Sequence, residues 1–380
     1  MKKIFVLVII ILCGIQAYPQ NTSFNSTVIT GIKEIYNLQF KDAEKLFKGI
    51  IADYPQKPQG RFFLAMIDWW KILVNPDNES YDDIFYQKLE DVIYQCNEIL
   101  KKDPNNEDAL FFKGGAIGFR GRLRAFRESW LKAADDGRLA LPIVEKAAKI
   151  NPANVDVQLG FGIYDYYAAV IPEDYPLIKP LMIFFPPGDK TKGIKELTNV
   201  AQNGLYAKYE AMYFLMSLYF SYENNQFKAD EWAKELTKDF PNNPVFERWR
   251  GRIAAKRGDY FAADSIFKDV MKKAANNFFG YNFPNIKREA TYYIAYQYRL
   301  MSKLDSAKNY FDQCAKLSQI VDKKEASGFI INCYLYLGMI DDEQGNRNEA
   351  VAYYKKLLDL KEFGNSHELA EKYLKKPYKQ

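Results

Sequence analysis

The interval that most constrains this chain is the 34 residues from Ala229 to Ala263, each lying inside an amphipathic helical pattern. A small residue followed four positions on by a bulky ring recurs in the same setting: Ala43 with Phe47, Ala263 with Phe267, Ala307 with Phe311 and Ala350 with Tyr354. Self-similarity at this period is the signature of stacked helical hairpins, each too small to bury its apolar face alone. Helical periodicity runs from about Val28 to the end, and no stretch alternates long enough to argue for a sheet. Pro55, Pro104, Pro152 and Pro241 each stand where a helix has just ended, because proline cannot continue a helix interior. Asn105-Asn106, Asn151-Pro152, Asn242-Asn243 and Gly258-Asp259 supply the turns. The expected fold is all-α: an α-solenoid of about seven to eight hairpins over residues 24–375.

Such a unit resembles the tetratricopeptide repeat, which carries a small residue at position eight, alanine at twenty, a bulky ring at twenty-four and proline at thirty-two. Gly31, Ala43, Phe47 and Pro55 fit that frame, as do Leu337, Gly338, Ala350 and Tyr354. The likeness is clearest over 26–56 and 207–360. Glycine inside a helix costs about 1 kcal/mol against alanine, so Gly31, Gly251 and Gly338 at one frame position signal close helix packing. The 28 tyrosines and 27 phenylalanines outnumber these positions and must also line faces between hairpins.

At the start, Lys2 and Lys3 precede an apolar run from Ile4 to Cys13, followed by small residues near Ala17. That is the layout of a secretory signal peptide, residues 1–17, and the run falls short of the ~20 residues of a membrane span. Leu12 occupies the place before Cys13 where a lipobox carries a small residue, which argues against lipidation. The expected location is the periplasm or cell envelope. Net charge is +5, or +3 without Lys2 and Lys3, which is no footprint for nucleic acid. Cys96, Cys314 and Cys333 are too few and odd in number for a disulfide framework; they read as buried thiols, with Cys314 and Cys333 placed to face each other across adjacent helices.

The repeat is interrupted around 75–83, around 121–136 and most conspicuously over 169–189. Five prolines forbid one helix across this last insertion, and its aliphatic and aromatic content forbids a freely solvated linker. It belongs either on the inner face of the superhelix or against a partner protein or a membrane surface, the latter as a peripheral contact. From Tyr164 to Leu197 the insertion, its Phe-Pro-Pro-Gly-Asp end and the Gly193-Ile194 helix start also resemble a eukaryotic tetratricopeptide family linked to the mitochondrial outer membrane and inclusion-body clearance.

Catalytic constellations are scarce, and no enzymatic activity, metal or cofactor is expected. His367 is the single histidine, which removes histidine triads and paired-histidine metal sites. His367-Glu368-Leu369-Ala370-Glu371 opens like a zinc-peptidase motif but ends in Glu371, and reads as a helix start. Gly114-Gly115-Ala116-Ile117-Gly118 and Gly188-Asp189-Lys190-Thr191 lack the strand and glycine spacing of a phosphate loop; they read as structural.

Two basic constellations remain. Arg120, Arg122, Arg124 and Arg127 either pair with Glu128, Asp135 and Asp136 on neighbouring turns or fork onto carboxylates and phosphates of a ligand. The tetratricopeptide frame further implies that first helices face a concave groove, placing Phe214, Leu218 and Tyr222 there, then Arg248, Arg252 and Lys256, then Tyr292, Tyr296 and Arg299. Those three bases fall at i, i+4 and i+8 on one helical face, and are either solvated or set to hold an extended acidic peptide between rings. The asparagines of the family's carboxylate clamp are missing at the matching positions. The expected function is an exported scaffold or adaptor that binds a protein or peptide partner in this groove. The alternative is a module enclosing a small amphipathic or lipid-like ligand between the superhelix and the insertion.

Overall fold

A computed structural model describes residues 20–174, 179 and 186–379. The expected signal segment 1–17 and most of the 169–189 insertion therefore lie outside the described residues. Within them there is no strand; seventeen helices follow one another as eight antiparallel hairpins and a closing helix. The hairpins pair α1 (Gln20–Tyr36) with α2 (Phe40–Asp53), α3 (Gln59–Val74) with α4 (Asp82–Lys102), α5 (Glu107–Phe126) with α6 (Trp130–Ile150), and α7 (Gln158–Asp174) with α8 (Lys190–Asn203). There follow α9 (Lys208–Ser221) with α10 (Gln226–Asp239), α11 (Pro244–Lys256) with α12 (Tyr260–Ala275), α13 (Pro284–Leu300) with α14 (Leu304–Val321), and α15 (Gly328–Glu343) with α16 (Arg347–Leu358), before α17 (Ser366–Lys375). None of these helices is long and apolar enough to cross a membrane.

The repeat frame has a direct steric cause. A methyl group added at Gly31 would stand 2.5 Å from Cζ of Phe47, one at Gly251 2.5 Å from Cε2 of Phe267, and one at Gly338 2.5 Å from Cε1 of Tyr354. Each ring lies flat over a bare glycine on the first helix of its own hairpin, which is why the two helices can approach so closely. The far face of the ring then meets the next hairpin: Phe47 stacks on Phe63 at 5.4 Å, and Phe267 on Tyr293 at 4.7 Å and 5°. Ala43, Ala263, Ala307 and Ala350 are buried beside these rings. Polar caps fix the turns, with the side chains of Asn106, Asn225, Asn243 and Asp259 accepting from Ala109, Lys228, Val245 and Ala262 N–H groups. Gly258, just past α11, takes φ +82°, which a side chain would strain. Cys96, Cys314 and Cys333 are buried free thiols.

The solenoid curls until its first hairpin touches its fifth and sixth. Tyr36 Oη donates to Glu210 at 3.1 Å, Asn243 Nδ2 donates to the Tyr36 carbonyl at 2.8 Å, and Tyr206 Oη donates to Asn25 at 2.7 Å. Around this seam the Tyr36 ring packs on Trp70, Tyr209, Phe240 and Phe246 at 4.7 to 6.1 Å. One apolar core accordingly runs from Phe24 to Ile253, a second joins α11 and α12 to α13 from Ala254 to Ile294, and a third runs from Ala295 to Ala370.

At the insertion, α7 continues through Pro172, and the chain returns at Pro186, whose carbonyl accepts from Tyr164 Oη at 2.6 Å. A Cβ at Gly188 would stand 2.5 Å from the Asp165 carbonyl, and one at Gly193 2.7 Å from the Gly162 carbonyl. The returning foot of the insertion is thus clamped by close packing of its backbone against α7.

Candidate functional site

Arg248 and Arg252, one turn apart on α11, converge on a single carboxylate. Arg248 Nε reaches Glu289 Oε2 at 2.5 Å; Arg252 holds Oε1 through Nε and Oε2 through Nη2 at 2.8 Å. Glu289, on α13, is 1% exposed. Burial pushes its carboxyl up, but the two guanidinium groups outweigh that and hold it down at about 2. These arginines are counter-ions to a buried acid, neither solvated bases nor free ligands for a peptide. Sequence reading missed Glu289 because the pair spans 37 and 41 residues and follows no helical period. Lys256 is different: it stays exposed, its Nζ donating to the Phe220 carbonyl at 2.8 Å and standing 4.5 Å over the Phe220 ring.

The remaining groove residues separate into two places. Tyr222 ends α9 and meets Tyr166 and Tyr167 of α7 edge-on. Tyr292 packs against Phe311 and Phe329, and Tyr296 lies between Tyr260 at 4.7 Å and Tyr336 at 5.6 Å. Arg299 pairs with Glu343 at 3.1 Å and stands 5.4 Å over Tyr336 of α15. The structure therefore gathers Tyr296 and Arg299 with Tyr336, and leaves Tyr222 on a different stretch of the superhelix.

Arg299 has one more neighbour. The backbone leaves α17 at Lys376 in an extended conformation (φ −140°, ψ 122°) and runs back past the end of α15. Tyr378 N–H donates to Asp342 Oδ2 at 2.8 Å, and its ring meets Tyr373 at 5.1 Å and the Arg299 guanidinium at 5.5 Å. Asp342 is also held by Arg347 at 2.9 Å and by the Tyr354 hydroxyl at 2.9 Å.

In the second basic constellation every arginine has a partner within the chain. Arg120 and Arg124 share the buried Asp136, each at 2.6 Å, and Arg120 also takes Glu90 at 2.5 Å. Arg127 binds Asp82 at 2.6 and 3.0 Å. Arg122 pairs with Glu210 and lies against Trp69 at 4.6 Å and Phe214 at 4.5 Å. Asp136 is among the expected partners; Asp135 instead pairs with Arg138, and Glu90, Asp82 and Glu210 come from other helices.

Between α7 and α8, Asp165 and Glu196 lie together under Lys192, which reaches Asp165 at 2.7 Å. Burial raises the Glu196 carboxyl to about 7, Lys192 opposing and Asp165 adding to the shift. A cleft of 790 Å³ lies beside them, lined by Phe161, Gln158, Lys195 and Asn199. His367 has its Nε2 2.9 Å from the Leu360 carbonyl at the start of α17. Among the described residues no three metal-ligating side chains gather.

Residues 332–360 match the family model of the tetratricopeptide repeat, a stretch that contains Gly338, Ala350 and Tyr354. No curated protein matches the sequence. Among solved structures the chain is similar to the Cut9–Hcn1 hetero-tetramer of the APC/C, with a TM-score of 0.52 and 13% identity over 88% of this chain and 52% of that one. It spans about half the length of that protein. The C-terminal part of a TPR repeat-containing protein from Cytophaga hutchinsonii matches with a TM-score of 0.38 and 16% identity over 80% and 98% of the two chains. A tetratricopeptide repeat protein from Parabacteroides merdae gives 0.37 and 15% over 80% and 97%. Residues 332–360 thus carry a tetratricopeptide repeat, and the same glycine-under-ring crossing recurs at other hairpins of this all-α solenoid.

Proposed function

We propose that the protein is an exported interaction scaffold that holds an extended segment of a partner protein on the first-helix side of its C-terminal hairpins. The observation that carries this reading is the contrast along the superhelix. From α1 to the start of α13 inner polar groups are spent on one another, through Tyr36, Arg122 and Glu210 and through Arg248, Arg252 and Glu289. Beyond that cluster, from the end of α11 to α15, Lys256 stays exposed over Phe220 and the Tyr296 and Tyr336 rings stay half-open, beside Arg299 in its pair with Glu343. Rings and guanidinium groups in such a row suit an extended peptide by stacking and charge-assisted bonds. Export rests on the Lys2-Lys3 and Ile4–Cys13 layout.

The test is a cross-linking pull-down from a cell-envelope fraction with the unmodified chain and with Lys256→Ala combined with Tyr296→Ala. Capture that falls at least fivefold while circular dichroism holds supports the reading. Undiminished capture overturns it.

A further inference from the structure

Segment 376–379 is neither helix nor inter-helix turn, yet it is seated by specific contacts. Pro377 forces the preceding residue out of the helical region, and Lys376 is extended accordingly. That sends the chain back from α17 across the end of α15 to Arg299 on α13, two hairpins away. Lys376, Pro377 and Lys379 are exposed; Tyr378 alone is half-buried. Its ring is taken by Tyr373 and Arg299, and its N–H by Asp342.

The receiving groups do not depend on this occupant. Asp342 keeps Arg347 and Tyr354, Arg299 keeps Glu343 and Tyr336, and Arg347 keeps the Tyr373 and Leu374 carbonyls. Withdrawing Tyr378 would therefore strand no buried charge, which distinguishes a seated ligand from a structural strut.

We infer that Arg299, Asp342 and Tyr373 form a binding site for an extended peptide carrying an aromatic residue, and that Lys376–Lys379 occupies it in cis. The inference rests on the peptide-holding reading above and names the chemistry of the occupant. Asp342 takes a backbone N–H, and the Arg299 guanidinium faces a ring. A tethered occupant is present at a millimolar effective concentration, so a partner in trans competes with it and binds more weakly than its intrinsic affinity by the fraction of open sites.

The probe is a fluorescein-labelled peptide of residues 374–380, Leu-Lys-Lys-Pro-Tyr-Lys-Gln, titrated by anisotropy. The full chain with Tyr378→Ala should bind it at least tenfold more tightly than the unmodified chain, and a chain ending at Lys375 should do the same. Arg299→Lys in the Tyr378→Ala background, which keeps the charge but not the planar face, should lose most of that gain; so should a probe with alanine for its tyrosine. Equal binding by the unmodified and Tyr378→Ala chains, or no binding by a folded Tyr378→Ala chain, overturns the inference. Neither result depends on whether an envelope partner is captured, so this site and the scaffold reading fail separately.

Discussion

Tyr36 and Glu210 are 174 residues apart in sequence and 3.1 Å apart in space, and Arg122 reaches the same carboxylate from a third helix. Hairpins one, three and five thus meet at one buried acid, 7% exposed, in the middle of what a more open solenoid would keep as a groove. The superhelix is closed here by polar bonds set in an aromatic shell, with Trp69 and Phe214 within 4.6 Å of the Arg122 guanidinium. That closure leaves the C-terminal hairpins as the place where the proposed binding surface is sought.

Glu210→Ala should therefore destabilise the N-terminal six hairpins by about 3 kcal/mol, since it leaves a partly buried guanidinium and a buried hydroxyl without their acceptor. Tyr36→Phe removes only one neutral donor and should cost about 1 kcal/mol. Urea denaturation followed by tryptophan fluorescence reads both, because Trp69 and Trp70 lie in this core. Equal costs for the two substitutions would show that Arg122 gains nothing from Glu210.

The glycine-under-ring crossing makes a sharper prediction. Gly251→Ala puts a methyl 2.5 Å from Phe267, and the ring is stacked on Tyr293 with no room to retreat. The helix propensity gained, about 1 kcal/mol, should be outweighed by overpacking of about 2 to 3 kcal/mol. Phe267→Leu in the same chain should recover part of the loss. A double-mutant cycle that shows simple additivity would mean the two groups do not touch.

These crossings were legible in the sequence because a period of 34 places Gly251, Ala263 and Phe267 in one frame. That Arg248 and Arg252 project from one face of α11 was legible too. What they face was not, because Glu289 belongs to another hairpin and an ion pair across 37 residues leaves no periodic trace. The closure through Tyr36 and Glu210 was hidden for the same reason, and Tyr378 because a short tail after a helix carries no frame. Side chains that obey the repeat are readable one hairpin at a time; those that pair between hairpins depend on the curvature of the whole array.

Glu289→Gln should cost the α11–α13 contact about 3 to 4 kcal/mol, as two arginines lose a shared carboxylate that is itself buried. Arg248→Ala with Arg252→Ala should be at least as damaging, leaving Glu289 charged and unpaired, so loss of partner capture in that double variant would report unfolding rather than a lost contact. The folded Glu289 carboxyl lies at about 2, below its ordinary 4.5, so its stabilisation is complete above pH 4.5 and is lost as pH falls towards 2. Acid unfolding followed at 222 nm should lose that steepness in Glu289→Gln.

Glu196 runs the other way. Its folded carboxyl is raised to about 7 from 4.5 by burial, against the pull of Lys192 and with the Asp165 carboxylate beside it. Between those two values the folded chain binds a proton that the unfolded chain has released, so unfolding free energy falls as pH rises through this window. The loss should be on the order of 2 kcal/mol between pH 4.5 and 7, with little further change from this group above that. It should be concentrated at the α7–α8 crossing, where Gly193 lies against Gly162 and Gly188 clamps the foot of the insertion. Amide exchange in α7 and α8 should accordingly quicken, relative to α13 and α14, from pH 5 to pH 7 after correction for the intrinsic rate. Glu196→Gln keeps the neutral form at every pH and should flatten that dependence; an unchanged pH profile in Glu196→Gln would show that Glu196 is ionised throughout.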